Sequence, residues 1–151
     1  MAQSLFPTFE PIDDVVEQPA EEQLSPSSVY FDFESGDFAV NAVGKTIQAD
    51  PATAWAQWCG KQLHTQRYAF LSYSPDIGVE AAEALQEPTR EARESYLRRT
   101  IIEALMADPL GRTQLVQGFS FDWNEPDGVI ISFEIEGRNM ETQTITKKIG
   151  V

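Results

Sequence analysis

Cys59 and His64 are the only cysteine and the only histidine of the chain, and a thiol beside an imidazole is the pairing that makes a nucleophile and its general base. Both fall in a helical pattern, where a separation of five residues turns the side chains about 140° apart around the axis. A pair so placed does not share a proton. Cys59 therefore reads as a core residue and His64 as a helix-end residue near the carbonyl dipole. Carboxylates offer a second chemistry: Asp76, Glu80 and Glu83 follow an aromatic run, and a glycosidase needs two carboxylates held across a cleft. With 24 acids in 151 residues, neighbouring carboxylates arise from composition alone, so no residue is assigned a catalytic role. One cysteine excludes an intrachain disulfide and a thiol-rich metal site. No metal-ligand spacing, phosphate-cradling glycine loop or nucleotide fingerprint occurs, so neither metal nor cofactor is implied.

The elements that would carry these residues can be read from their boundaries. Asp50 before Pro51 is a capping residue followed by proline at the first helical position, and the spacing predicts a helix to about His64. Gly60 inside it implies a close backbone approach. A strand-like aromatic run, Tyr68 to Tyr73, should follow, then a turn at Ser74–Gly78 and a short helix from Glu80 to Leu85, stopped by Pro88. A long helix is expected from near Thr89 to Ala107, with Leu97, Ile101, Ala104 and Leu105 inward, Arg90, Glu94, Arg98 and Arg99 outward, and Glu94 paired to Arg98. Before the first helix, Val29–Phe33 and a second strand from Phe38 form a hairpin around Ser35-Gly36-Asp37. After the long helix the chain is strand: Phe119, Phe121 and Trp123 alternate with polar residues, Val129, Ile131, Phe133 and Ile135 form an apolar face, and residues 141–149 read as an edge strand. The fold class is α+β, an N-terminal β-hairpin and a C-terminal antiparallel sheet packed on two main helices.

Charge is unevenly spread along this plan. The net charge is −13, and the first 44 residues hold nine acids with no lysine or arginine. Residues 1–28 are acidic and carry prolines at 7, 11, 19 and 26; they are expected to form an extended arm ahead of a single domain over 29–151. Yet Leu5, Phe6, Phe9, Ile12, Val15 and Val16 are too apolar for a simple linker, so the arm either stays free or lies along its own domain or a neighbour. Such a surface repels phosphates, which argues against nucleic acid and anionic membranes and for a basic protein partner. The start of the chain lacks a basic, apolar signal pattern, and no run reaches membrane-helix length.

The densest information lies between Trp55 and Gly78. Trp55 and Trp58 are three apart on one helical face and read either as core or as an exposed aromatic patch for a partner. Arg67 stands between helix end and aromatic run, where its planar fork could clamp carbonyls or an acid such as Asp76 or Asp108, or touch a partner. Tyr73, Ser74, Asp76 and Gly78 have a local account as a turn.

Trp58, Lys61, Leu63, Thr65, Arg67, Leu71, Tyr73, Ser74, Asp76 and Gly78, followed by a second helix ending Ile101-Ile102-Glu103-Ala104-Leu105-Met106-Ala107-Asp108-Pro109, resemble the small baseplate wedge protein of contractile phage tails and tailocins. The resemblance is in particular to the version found in prophages of Gram-positive bacteria. The resemblance runs from about Tyr30 to about Glu136. The wider family includes a lysozyme-like wedge protein and commonly carries Glu-Pro-Arg after that helix; here Asp108-Pro109-Leu110-Gly111-Arg112 keeps acid and proline and places the arginine two residues later.

The resemblance implies a structural protein, not an enzyme. It would join a hetero-oligomeric baseplate, assembled in the host cytoplasm, by binding larger baseplate-J-type wedge proteins and attaching the first ring of tail sheath. Together with the residue readings above, the candidate partner-binding or clamp residues are Trp55, Trp58, Thr65, Arg67, Tyr73, Asp76, Gly78, Asp108, Pro109 and Arg112. Edge-strand addition would serve the sheath, with Thr142, Thr144, Ile145, Thr146 and Ile149, or else the N-terminal arm, supplying the edge. The competing expectations are a muramidase-like cell-wall hydrolase, using carboxylates such as Asp76 or Glu80, and a small acidic adaptor or assembly chaperone.

Overall fold

The computed structural model of the chain describes residues 28–138 and 142–150; the expected N-terminal arm lies outside them except for Ser28, which belongs to the first strand. The described chain begins with four two-residue strands, β1 (Ser28–Val29), β2 (Phe31–Asp32), β3 (Asp37–Phe38) and β4 (Gln48–Ala49). Strand β2 pairs antiparallel with β3, as the expected hairpin requires, and β1 pairs with β4. Asp32 makes the β2–β3 turn by accepting from the Glu34 amide at 2.9 Å and the Ser35 hydroxyl at 2.8 Å, while Gly36 takes φ +72°. The second strand, β3, ends at Phe38. Asn41 accepts from the Val43 and Lys45 amides, both at 3.0 Å, and turns the chain again with Gly44 at φ +78°. Between the two pairings the backbone closes a ring of three hydrogen bonds: Tyr30 donates to Ile47, Ile47 to Ala39 and Ala39 to Tyr30, at 2.8, 2.9 and 3.0 Å.

Helix α1 (Pro51–His64) starts where the sequence places it, with Asp50 Oδ1 accepting from the Thr53 amide at 2.9 Å. Its buried residues are Ala54, Trp55, Cys59, Gln62 and Leu63. What lies against Gly60 is a side chain: a Cβ there would stand 3.1 Å from the Phe33 ring, which also stacks on His64. Helix α2 (Ala81–Leu85) is a single short piece, and α3 (Arg90–Met106) is capped by Thr89, whose hydroxyl accepts from the Ala92 amide at 3.2 Å. Leu97, Ile101, Ala104 and Leu105 of α3 are buried, as expected. The expected Glu94–Arg98 pair is replaced. Glu94 takes Arg90 at 3.0 Å and the Trp123 indole at 2.8 Å, and Arg98 lies over the rings of Phe119 and Phe121.

The C-terminal sheet has the order β5 (Thr113–Asp122), β6 (Gly128–Gly137), β7 (Gln143–Gly150), all antiparallel. On the central strand Val129, Ile131, Phe133 and Ile135 are at most 1% exposed, which puts every second residue of β6 under the helices. Each side chain of this size contributes about 1.5–3 kcal/mol on burial. Strand β5 loses register between Gln117 and Ser120, where Gly118 takes φ +70°. Strand β7 pairs one-to-one with β6 from Gln143 to Gly150.

The strand expected at Tyr68–Tyr73 does not form. Residues 67–78 make a loop of turns, with Tyr68 at φ +64° and Leu71 fully exposed. Its neck is closed by a parallel bridge between Gln66 and Val79, and with no strand alongside the run its aromatics have no sheet to join.

Candidate functional site

Arg67 is the centre of the most connected polar cluster. Its amide donates to Val79 O at 3.0 Å and its Nε to Gly78 O at 3.0 Å. One terminal nitrogen reaches Glu103 Oε2 at 3.3 Å and Glu80 Oε1 at 3.8 Å. The side chain is 9% exposed, so the guanidinium works in a partly desolvated place where an unpaired charge is costly. The sequence pointed to Asp76 or Asp108 as its acid; α2 and α3 supply Glu80 and Glu103 instead, because the closed neck aims Arg67 inward while Asp76 stays in the exposed loop.

Neighbours complete the cluster. Gln62, a polar residue on the buried stripe of α1, accepts from the Gly78 amide at 2.7 Å. Thr65 ends α1 by donating its hydroxyl to Lys61 O at 2.8 Å and accepts from the Val79 amide through its carbonyl at 2.9 Å. Gly78 takes φ +95°, and a Cβ on it would stand 2.5 Å from that same carbonyl. Only glycine fits this passage. Glu80 is held by the Tyr96 hydroxyl at 2.7 Å, which raises the tyrosine pKa, and its amide donates to the buried Thr100 hydroxyl at 2.9 Å.

A second cluster closes α3. Arg112 donates from Nε and a terminal nitrogen to the two Asp108 oxygens at 2.7 and 3.0 Å, and the amides of Arg112 and Leu110 add 2.9 and 3.2 Å contacts. Burial alone would raise the Asp108 pKa. The bonds from the Arg112 side chain, then from the two amides, and the guanidinium charge outweigh it and hold the carboxyl below its ordinary value. The two extra residues before Arg112 thus form a loop that returns the guanidinium to Asp108, with Pro109 on its exposed outside. Arg112 also lies 5.7 Å over the Trp58 ring.

The remaining expected residues divide between core and surface. Trp55 is core, and its indole donates to Thr113 at 3.0 Å. Trp58 is half-buried and lines a groove. Tyr73 packs beneath Lys61, and Asp76 accepts from the Ser74 hydroxyl at 3.1 Å. Along β7, Thr144 and Thr146 are exposed, Thr142 is exposed just ahead of the strand, Ile145 is half-buried and Ile149 is buried against the core. Gln62, Thr100, Glu103 and Thr113 are structural partners that the sequence reading did not single out; a polar residue inside an apolar helical stripe was the available signal for Gln62 and Thr100.

The suggested chemistry finds little support in the geometry. Cys59 is fully buried and its thiol is pushed up to about 12, first by burial and then by the Asp108 charge. His64 Nδ1 is bonded to Gly60 O at 2.7 Å. Glu83 is taken by Gln66 at 2.6 Å, so Asp76, Glu80 and Glu83 each have a partner within the protein. Among the described residues no group of three or more metal-ligating side chains converges, and no helix is long and apolar enough to cross a membrane.

Residues 27–140 match the family described as contractile injection system sheath initiator. That range contains both polar clusters, the groove, and strands β5 and β6. No curated protein matches the chain.

Proposed function

The chain belongs to the contractile injection system sheath initiator family, a structural family rather than an enzyme family, and from that premise we propose that it is the small wedge component of a baseplate whose β7 edge receives a strand from the first ring of tail sheath. Its place is in the tail or baseplate particle, in contact with sheath and baseplate components. The observation that carries the strand reading is the contrast between the two edges of the sheet. Strand β7 is regular over eight residues, whereas the β5 edge is interrupted at Gly118. An incoming strand gains a continuous row of backbone hydrogen bonds only at the first.

In this reading the surface that presents Trp58 and the aromatic loop at 68–73 meets the larger baseplate-J-type wedge proteins. Exposed Tyr68, Phe70 and Leu71 supply the apolar area such a contact needs. Assembly takes place in the host cytoplasm, which suits a chain whose one cysteine is buried and free.

The test is co-expression with the sheath and large wedge proteins, followed by size exclusion and native mass spectrometry at high salt. A complex of fixed stoichiometry that survives salt is expected; dissociation by salt alone would favour an acidic adaptor. Proline placed singly at Thr144 and Ile145 discriminates further. Adjacent residues of an antiparallel edge alternate between inward and outward amides, so one of the two prolines removes a donor from the free edge and should abolish sheath attachment while wedge binding persists. Unimpaired attachment by both variants would overturn the strand reading.

A further inference from the structure

A groove of about 590 Å³ opens between α1 and the short strands at the start of the described chain. Its floor is aromatic and aliphatic, with Phe31, Phe33, Phe38 and Trp58, and Lys61 and Arg112 bring cations to it. Phe33 and Phe38 leave 43% and 53% of their surface uncovered, a large apolar exposure for two rings that both pack edge-on to Phe31. Ser28, where the described chain begins, is itself part of the lining.

The residues immediately upstream have the complementary chemistry. Leu5, Phe6, Phe9, Ile12, Val15 and Val16 are interleaved with Glu10, Asp13, Asp14 and Glu17, and no lysine or arginine precedes Lys45. We propose that residues 5–16 of this chain occupy the groove, with Phe6 and Phe9 against the aromatic floor and the carboxylates toward Lys61. Reach is ample: the residues from Val16 to Ser28 span up to about 40 Å when extended. Tethering at the groove's own margin raises the local concentration of the segment to about the millimolar range, so modest contacts suffice. Lys61 strengthens the match, since its ammonium, placed over the Tyr73 ring, has no carboxylate partner among the described residues. The proposal concerns the free protein and does not depend on the sheath reading.

The full chain carrying Ser4→Cys, labelled with a nitroxide and with nitrogen-15, tests this directly, because the buried Cys59 stays unlabelled. Amide signals of Phe31, Phe38 and Trp58 should lose most of their intensity while those at the Gly128 end of β6, a strand's length from the Gly137 that pairs beside Arg112, keep theirs. Phe6→Ser with Phe9→Ser in the same chain should restore the groove signals, and Lys61→Glu, a change at an exposed helical position, should restore them in part. Even broadening across all surfaces, or no response to either set of substitutions, would overturn the proposal. So would broadening that persists when spin-labelled nitrogen-14 protein is mixed with unlabelled nitrogen-15 protein, since the segment would then occupy the groove of another copy.

Discussion

Replacing Gly78 by alanine separates two costs that usually arrive together. The position has φ +95°, and an added Cβ would meet Thr65 O at 2.5 Å and the Arg67 amide nitrogen at 3.0 Å. A side chain held in that region costs about 1–3 kcal/mol by itself. Relieving the clash moves the Thr65 carbonyl or the Gly78 peptide, and with it two of the bonds among Val79 to Thr65, Arg67 to Gly78 and Gly78 to Gln62. At about 1 kcal/mol for each broken bond, the total is about 3–5 kcal/mol, a large share of the roughly 5–15 kcal/mol that holds a domain. Gly44 is the control: φ is +78° and nothing lies within 4 Å of its added Cβ, so Gly44→Ala bears the conformational cost alone. Urea unfolding followed by tryptophan fluorescence, with equal slopes for both variants, should place Gly78→Ala at least about 2 kcal/mol below Gly44→Ala. Thermal midpoints should differ by about 4–8 °C in the same sense for a chain of this size. Equal destabilisation of the two would refute the claim that the Thr65–Arg67–Gly78 passage is a steric lock.

Two further outcomes follow from the second cluster and the core. Asp108→Asn breaks a buried bidentate pair and should cost about 3 kcal/mol at neutral pH. Because the folded Asp108 pKa lies below its unfolded value, the carboxylate's contribution is present above about pH 4 and is lost as pH falls through the folded pKa; stability curves of wild type and variant should therefore converge in acid, and parallel curves would contradict the pairing. Cys59, its thiol raised to about 12 by burial, should resist a disulfide reagent at pH 8 in the native chain and react once denaturant is added, so prompt native labelling would place it outside the core.

The parts of the fold that the sequence made legible are those fixed within a few residues. Asp50-Pro51 and Thr89 cap the helices where expected, and the alternation from Val129 to Ile135 is the buried face of β6. The same local chemistry misled at Tyr68–Tyr73, whose aromatics suit a strand but have no neighbouring strand to pair with. The sequence singled out Arg67, Gly78, Asp108 and Arg112, which lie in the two polar clusters, but the partners of Arg67 were not legible. Glu80 and Glu103 are carried in by α2 and α3, and only the packing of those helices selects them from the available acids. The Glu94–Arg98 expectation failed for a related reason: Trp123, distant in sequence, competes for the carboxylate.

The loop that leaves and returns through the Gln66–Val79 bridge is pinched shut at its base, with Arg67 and Gly78 as its first and last residues and the Arg67 side chain turned inward to Glu80 and Glu103. Its tip at Leu71 is fully exposed, so what is added there does not stretch the neck. Doubling the length of such a closed loop costs only about 0.6 kcal/mol of closure entropy. The tip is thus a natural insertion port, where an epitope or a small fluorescent reporter can be spliced in to mark this subunit within a particle while the domain beneath keeps its fold.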